Sequence, residues 1–121
     1  MEIDFEDFIA KYPPMTVENA NLTRELILGM FSQAEEVIDI SANMIAYMFG
    51  KGYKNTLCTI IPSVNSLKLG FFNGVDLIDP EAMLRGSGKV HRYIEIRDFY
   101  AQQSYIRFLL NEAFKMWMQR G

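Results

Sequence analysis

The chain has 121 residues, half of them apolar and 22% charged, which is enough for one hydrophobic core and too little for two, and far from the composition of a disordered segment. Fifteen acidic against twelve basic side chains leave a net charge of −3, which excludes the cationic surplus that a phosphate backbone demands, so no nucleic-acid partner is expected. A single cysteine, Cys58, excludes an internal disulfide and fits a reducing compartment.

The first seven residues, Met1-Glu2-Ile3-Asp4-Phe5-Glu6-Asp7, are acidic where an export signal would be basic. No window approaches the ~20 apolar residues of a membrane span. A cytoplasmic protein without a membrane segment is expected. Phe5 to Tyr12 reads as a short helix or arm that stops at Pro13-Pro14, because proline disfavours helix in the residue before it. Leu22, Leu26, Ile27, Met30 and Phe31 then recur at helical spacing, which predicts a helix over about Thr16–Ala34 with Thr16 as its cap.

From Val37 onward short apolar runs alternate with turn residues. They predict strands at about Met44–Phe49, Thr56–Ile61 and Leu67–Phe72, joined by connections too short for anything but antiparallel neighbours. Cys58 lies inside the second run and reads as a small buried side chain, with no His or cationic cluster nearby to activate it. Asp79 followed by Pro80, with Gly86 beyond, predicts a helix of one to two turns. Val90 to Ile96 predicts a fourth strand, with Val90, Arg92, Ile94 and Ile96 on one face and His91, Tyr93 and Glu95 on the other. The last and longest helix spans about Phe99–Gln119, its apolar stripe formed by Ile106, Leu109, Leu110, Ala113, Phe114 and Trp117. These elements predict an α+β two-layer sandwich. A mostly antiparallel sheet of about four to five strands carries an N-terminal and a C-terminal helix on one face, and its other face is half open.

The turn Arg85-Gly86-Ser87-Gly88-Lys89 has the glycines and cations of an anion cradle, although it lacks the spacing of a P-loop and is followed by a strand. The same glycines equally suit a helix stop and a turn with positive φ. Arg92, on the inward parity of its strand, needs a carboxylate, backbone carbonyls or a bound anion to satisfy it. The binding residues that follow from this are Phe72, Arg85, Gly86, Gly88, Lys89 and Arg92, with a small anion as one candidate ligand. Nucleophilic catalysis finds no support, since the single His91 points outward and no Ser or Cys stands in a recognisable elbow or dyad. No catalytic residue is assigned, and a non-enzymatic binding protein is expected.

Gly70 to Asp98 reads GFFNGVDLIDPEAMLRGSGKVHRYIEIRD. With its Gly-Phe-Phe-Asn-Gly, Leu-Ile-Asp-Pro and Gly-Ser-Gly-Lys segments followed by Arg92, this stretch resembles the YdhG-like family of uncharacterised bacterial domains, one branch of which is described as frataxin-like iron chaperones. The resemblance departs from the family pattern at Ser41-Ala42-Asn43-Met44, at Ser66 and at Tyr93. It implies a frataxin-like sandwich and an iron-binding role, with iron as the cofactor or cargo. The acids nearest the junction of first helix and sheet, Glu35, Glu36 and Asp39, are then the candidate metal ligands, their oxygens suiting a hard cation. The alternative is a small-ligand or protein-interaction module that uses the open sheet face and a pocket near Arg92, with a protein partner or a second copy of the chain docking there.

Overall fold

The computed structural model describes residues 3–120. Its elements are α1 (Phe5–Ile9), α2 (Pro14–Met30), β1 (Glu35–Asp39), β2 (Met44–Met48), β3 (Thr56–Pro62), β4 (Leu67–Phe71), β5 (Arg92–Ile96) and α3 (Phe99–Arg120). Single 3-10 turns occupy Tyr53–Asn55 and Gly74–Asp76. The five strands form one antiparallel sheet in the order β1-β2-β3-β4-β5, and the long helices pack on one of its faces, so the α+β sandwich expected from periodicity is the fold. Among the described residues no helix is long and apolar enough to cross a membrane.

Register explains which face is buried. Ile38, Ile45, Ile60, Leu69 and Ile94 stand opposite one another across all five strands. They share a face because side chains alternate with period two. Ile45, Ile60, Leu69 and Ile94 are almost wholly buried against Ile27 of α2 and Ile106, Leu109 and Leu110 of α3. Each such side chain contributes about 1.5–3 kcal/mol by leaving water. The next row, Val37, Ala46, Thr59, Gly70 and Tyr93, faces the other way, where no helix lies. Between β2 and β3 the register jumps from Tyr47 opposite Cys58 to Met48 opposite Thr56. This bulge leaves Leu57 unpaired, lets Leu57 and Cys58 both enter the core, and returns Thr56 to the open face. Burial pushes the Cys58 thiol pKa up, as befits an inert side chain.

Four boundaries differ from the sequence expectation. Helix α2 begins at Pro14, so Thr16 lies inside it and donates its hydroxyl to the Ser63 carbonyl rather than capping. It ends at Met30, where Phe31 leaves helical geometry, and the acids beyond it form strand β1, which periodicity did not mark. The helix expected after Asp79 is a turn. Asp79 accepts from the backbone N–H groups of Met83 and Leu84 and from the Tyr105 hydroxyl, while Ala82 takes φ 54°. Arg85 then exchanges two backbone hydrogen bonds with Tyr93, which holds the segment extended beside β5. Strand β5 begins at Arg92, two residues late, and Val90 is 44% exposed instead of inward.

Candidate functional site

The three acids expected to ligate a metal are divided by the pleat of β1. Glu36 points to the helix-covered side, where Arg24 donates Nε to one carboxylate oxygen at 2.7 Å and a terminal N–H to the other at 3.0 Å. The buried Tyr47 hydroxyl donates to the same carboxylate at 2.7 Å. Burial, and then the neighbouring Glu36, push the Tyr47 phenol pKa well up. Glu35 and Asp39 alternate to the other face, and no group of three His, Cys, Asp or Glu side chains spaced for a metal occurs among the described residues. Glu35, Glu36 and Asp39 thus do not form one ligand set, because the pleat turns Glu36 to the opposite face and the strand rise of ~3.4 Å per residue sets Glu35 and Asp39 about 14 Å apart along theirs.

The glycine turn is equally divided. Arg92 keeps its inward parity, opposite Phe71, but its partners are the carbonyls of Gly88 at 2.6 Å and His91 at 2.7 Å. The Arg85 guanidinium donates to the Ala82 and Leu84 carbonyls. Two of the three expected cations are therefore turned onto carbonyl oxygens, the opposite of a ring of N–H donors facing an anion. Gly86 has φ 127°, a backbone conformation reserved for glycine, and Gly88 and Lys89 lie fully on the surface. Arg85 lines a shallow cleft at the outer edge of β5, Phe72 lines a separate cavity, and the expected binding residues do not meet in one pocket. What Arg92 does instead is fasten the segment Gly88–His91 to the sheet. The Val75 N–H reinforces it by donating to the Val90 carbonyl. Gly74 is required here, since a Cβ on it would lie 2.5 Å from Arg92 Cβ.

That fastening builds the cavity of about 350 Å³ on the open sheet face. Its floor consists of small side chains in one register row, Ala46 and Thr59, with Thr56 beside them, all at 8% exposure although no helix covers them. Met44, Met48 and Val37 wall one side, and Phe72, Val90 and His91 the other. Tyr53 leans over the mouth with its ring stacked on Phe72, centroids 6.1 Å apart. The floor holds one polar surprise. The Thr59 hydroxyl is buried and has no hydrogen-bond partner. Leaving such a group unpaired costs about 1–3 kcal/mol. Thr23 in α2 also lacks a partner, but it does not line this cavity.

His91 approaches the same spot. A Cβ on Gly70 would lie 2.5 Å from the His91 Nε2 and 2.7 Å from the Thr59 Oγ1, so the imidazole and the orphan hydroxyl converge above a glycine that must stay bare. Burial, and then the charge of Arg92, lower the His91 pKa and favour the neutral ring. The one formal charge in the lining is Asp39 at the β1 end. Its carboxylate accepts from the Ser41 hydroxyl at 2.8 Å and the Ala42 N–H at 3.0 Å, and these bonds hold its pKa below the usual range. The cavity is thus an apolar trough with a neutral imidazole in one wall, a hydroxyl just beneath its floor and a carboxylate at one rim. Of the binding and metal candidates named from the sequence, Phe72 and Asp39 belong to it, as do His91, read there as pointing outward, and Val90, read as inward. Thr59, Ala46, Met44, Met48 and Tyr53 were not marked, and the only signal for them is strand parity once the register is known.

Comparison of the chain with protein families, with curated proteins and with solved structures finds no match.

Proposed function

We propose that the protein is a small-ligand-binding module whose site is the open-face cavity, a reading carried by an apolar trough on an uncovered sheet face with the unpartnered Thr59 hydroxyl just beneath its floor. A ligand pocket is concave, mostly apolar and furnished with a few convergent polar groups. The Thr59 and His91 pair supplies those groups, and the surrounding Met, Val, Phe and Tyr side chains supply the contact area. The stretch that resembles YdhG-like domains contributes Gly70, Phe72, Val90 and His91 to this cavity, and on that resemblance we take the chain to be a member of the family. No catalytic step is assigned, since His91 has only a hydroxyl beside it and no geometry for a relay. The iron-binding alternative would have to work through Glu35 and Asp39 alone, because Glu36 is committed to Arg24 and Tyr47.

The test is calorimetric titration with a neutral flat probe, naphthylmethanol, and in parallel with ferrous and ferric iron. The wild-type chain should take up the probe at one site. Ala46→Phe, which places a ring on the cavity floor, should abolish uptake while leaving the melting temperature within a few degrees. Probe binding that survives Ala46→Phe, or iron binding that Asp39→Asn and Glu35→Gln remove while no probe binds, would sink the reading.

A further inference from the structure

Deepening that reading, we infer that the cavity selects a cationic ligand, a flat apolar body carrying a protonated amine, with Asp39 as the residue that sets the charge preference. The inference depends on the cavity being a ligand site, and adds the chemistry of the ligand.

Charge complementarity carries it. Among the residues that line the trough, Asp39 alone bears a formal charge. The Ser41 and Ala42 hydrogen bonds, both on Oδ1, favour its ionised form and fix the carboxylate at the rim. None of the ion pairs among the described residues involves it. Two basic groups of the neighbouring strands are engaged elsewhere. Arg92 lies on the opposite parity with its guanidinium on the Gly88 and His91 carbonyls, and the Lys68 ammonium sits over the Tyr93 ring, one strand beyond the floor. His91 is kept neutral by burial. An anionic ligand would therefore meet, in the one charged residue of the lining, a like charge. An amine would meet a carboxylate, and the faces of Tyr53 and Phe72 favour a cation as well.

Strand geometry gives the length. Asp39 lies two strands and two residues from Thr59 through the register Val37–Ala46–Thr59. With strands ~4.8 Å apart and a rise of ~3.4 Å per residue, the two Cα positions are about 12 Å apart. A two-ring body with an amine on a short arm spans that separation and lays its far edge over Ala46 and Thr59 on the floor.

Three probes of one shape and different charge decide the matter: naphthylmethylamine, naphthylmethanol and naphthoate, titrated at neutral pH and low ionic strength into the wild-type chain and into Asp39→Asn. The amine should bind at least about fivefold more tightly than the carboxylate, the scale of one partly exposed charge pair, with the alcohol between them. Asp39→Asn keeps the turn-capping oxygen and should bring the three affinities together without changing that of the alcohol. Naphthoate binding as well as or better than the amine, or a preference that survives Asp39→Asn, would overturn the charge assignment while leaving the cavity as a ligand site. Failure of all three probes would overturn both.

Discussion

Thr59 and Ile60 are neighbours in one strand and belong to two different proteins in the energetic sense. Ile60 lies on the helix-covered face in a row of fully buried aliphatic side chains, and the charged group that enters from that side, Glu36, arrives with Arg24 and Tyr47 already bound to it. Thr59 lies on the open face, as buried as a core residue, with its hydroxyl bound to nothing and a cavity above it. A folding requirement explains the first arrangement completely. It does not explain the second, because a valine of the same shape would satisfy folding better. Natural sequences are locally consistent except where function overrides consistency, and this chain departs from it at Thr59 under the open-face cavity, as well as at Thr23 in α2, which does not line that cavity.

The two faces should respond oppositely to substitution. The largest effect is expected for Ile60→Ala, which removes buried methylenes and leaves a cavity at a cost of ~2–5 kcal/mol in denaturant unfolding. A loss below about 1 kcal/mol would mean that the helix-covered row is not the core. Next comes Glu36→Gln, which takes the charge from the Arg24 pair and weakens the acceptor of a buried phenol. It should lower stability by about 1–3 kcal/mol, but leave probe binding on the other face unchanged.

Arg92 joins the faces, since its guanidinium pins the loop that delivers Val90 and His91 to the cavity wall. Arg92→Met should cost only about 1 kcal/mol, because the bonds it loses are partly solvated, which is a few degrees in melting temperature. It should weaken naphthylmethanol binding more than it weakens the fold. A drop of the size expected for Ile60→Ala would instead place Arg92 among the structural residues.

The smallest effect is a pH dependence from His91. Its folded-state pKa is lowered by burial below the unfolded value of ~6.5, so the unfolded chain takes the proton more readily. Stability present above that pH should therefore be lost as pH falls from about 6.5 toward the folded value, and His91→Gln should flatten that part of the profile. A profile of unchanged slope in His91→Gln would show that the ring titrates as if exposed.

The helix-covered face was the legible one. Ile45, Ile60, Leu69 and Ile94 announce themselves by alternation, and the α3 stripe from Ile106 to Ala113 by its spacing. Strand β1 was hidden because Glu36 puts a charge at a core-facing position, and only the distant Arg24 makes that tolerable. The helix expected after Asp79 failed because the Asp79 carboxylate captures the N–H groups that a helix would have used, with Tyr105 from α3 completing the turn. The cavity was partly legible: an open face and Phe72 followed from the pattern, whereas Thr59 sits in an unbroken buried run and reads as core. What makes it a site is its pairing with Ala46 and Gly70, which is a property of register and not of any local motif.

Thr59→Val is the most direct measurement of the central claim, since it keeps the side-chain shape and removes only the hydroxyl. Chemical denaturation of the ligand-free chain should show the variant at least as stable as wild type, and up to about 1–3 kcal/mol more stable, while the affinity for naphthylmethanol falls. A variant less stable than wild type by about 1 kcal/mol or more, binding the probe as before, would mean that the hydroxyl serves the fold and takes no part in ligand binding, which contradicts the account.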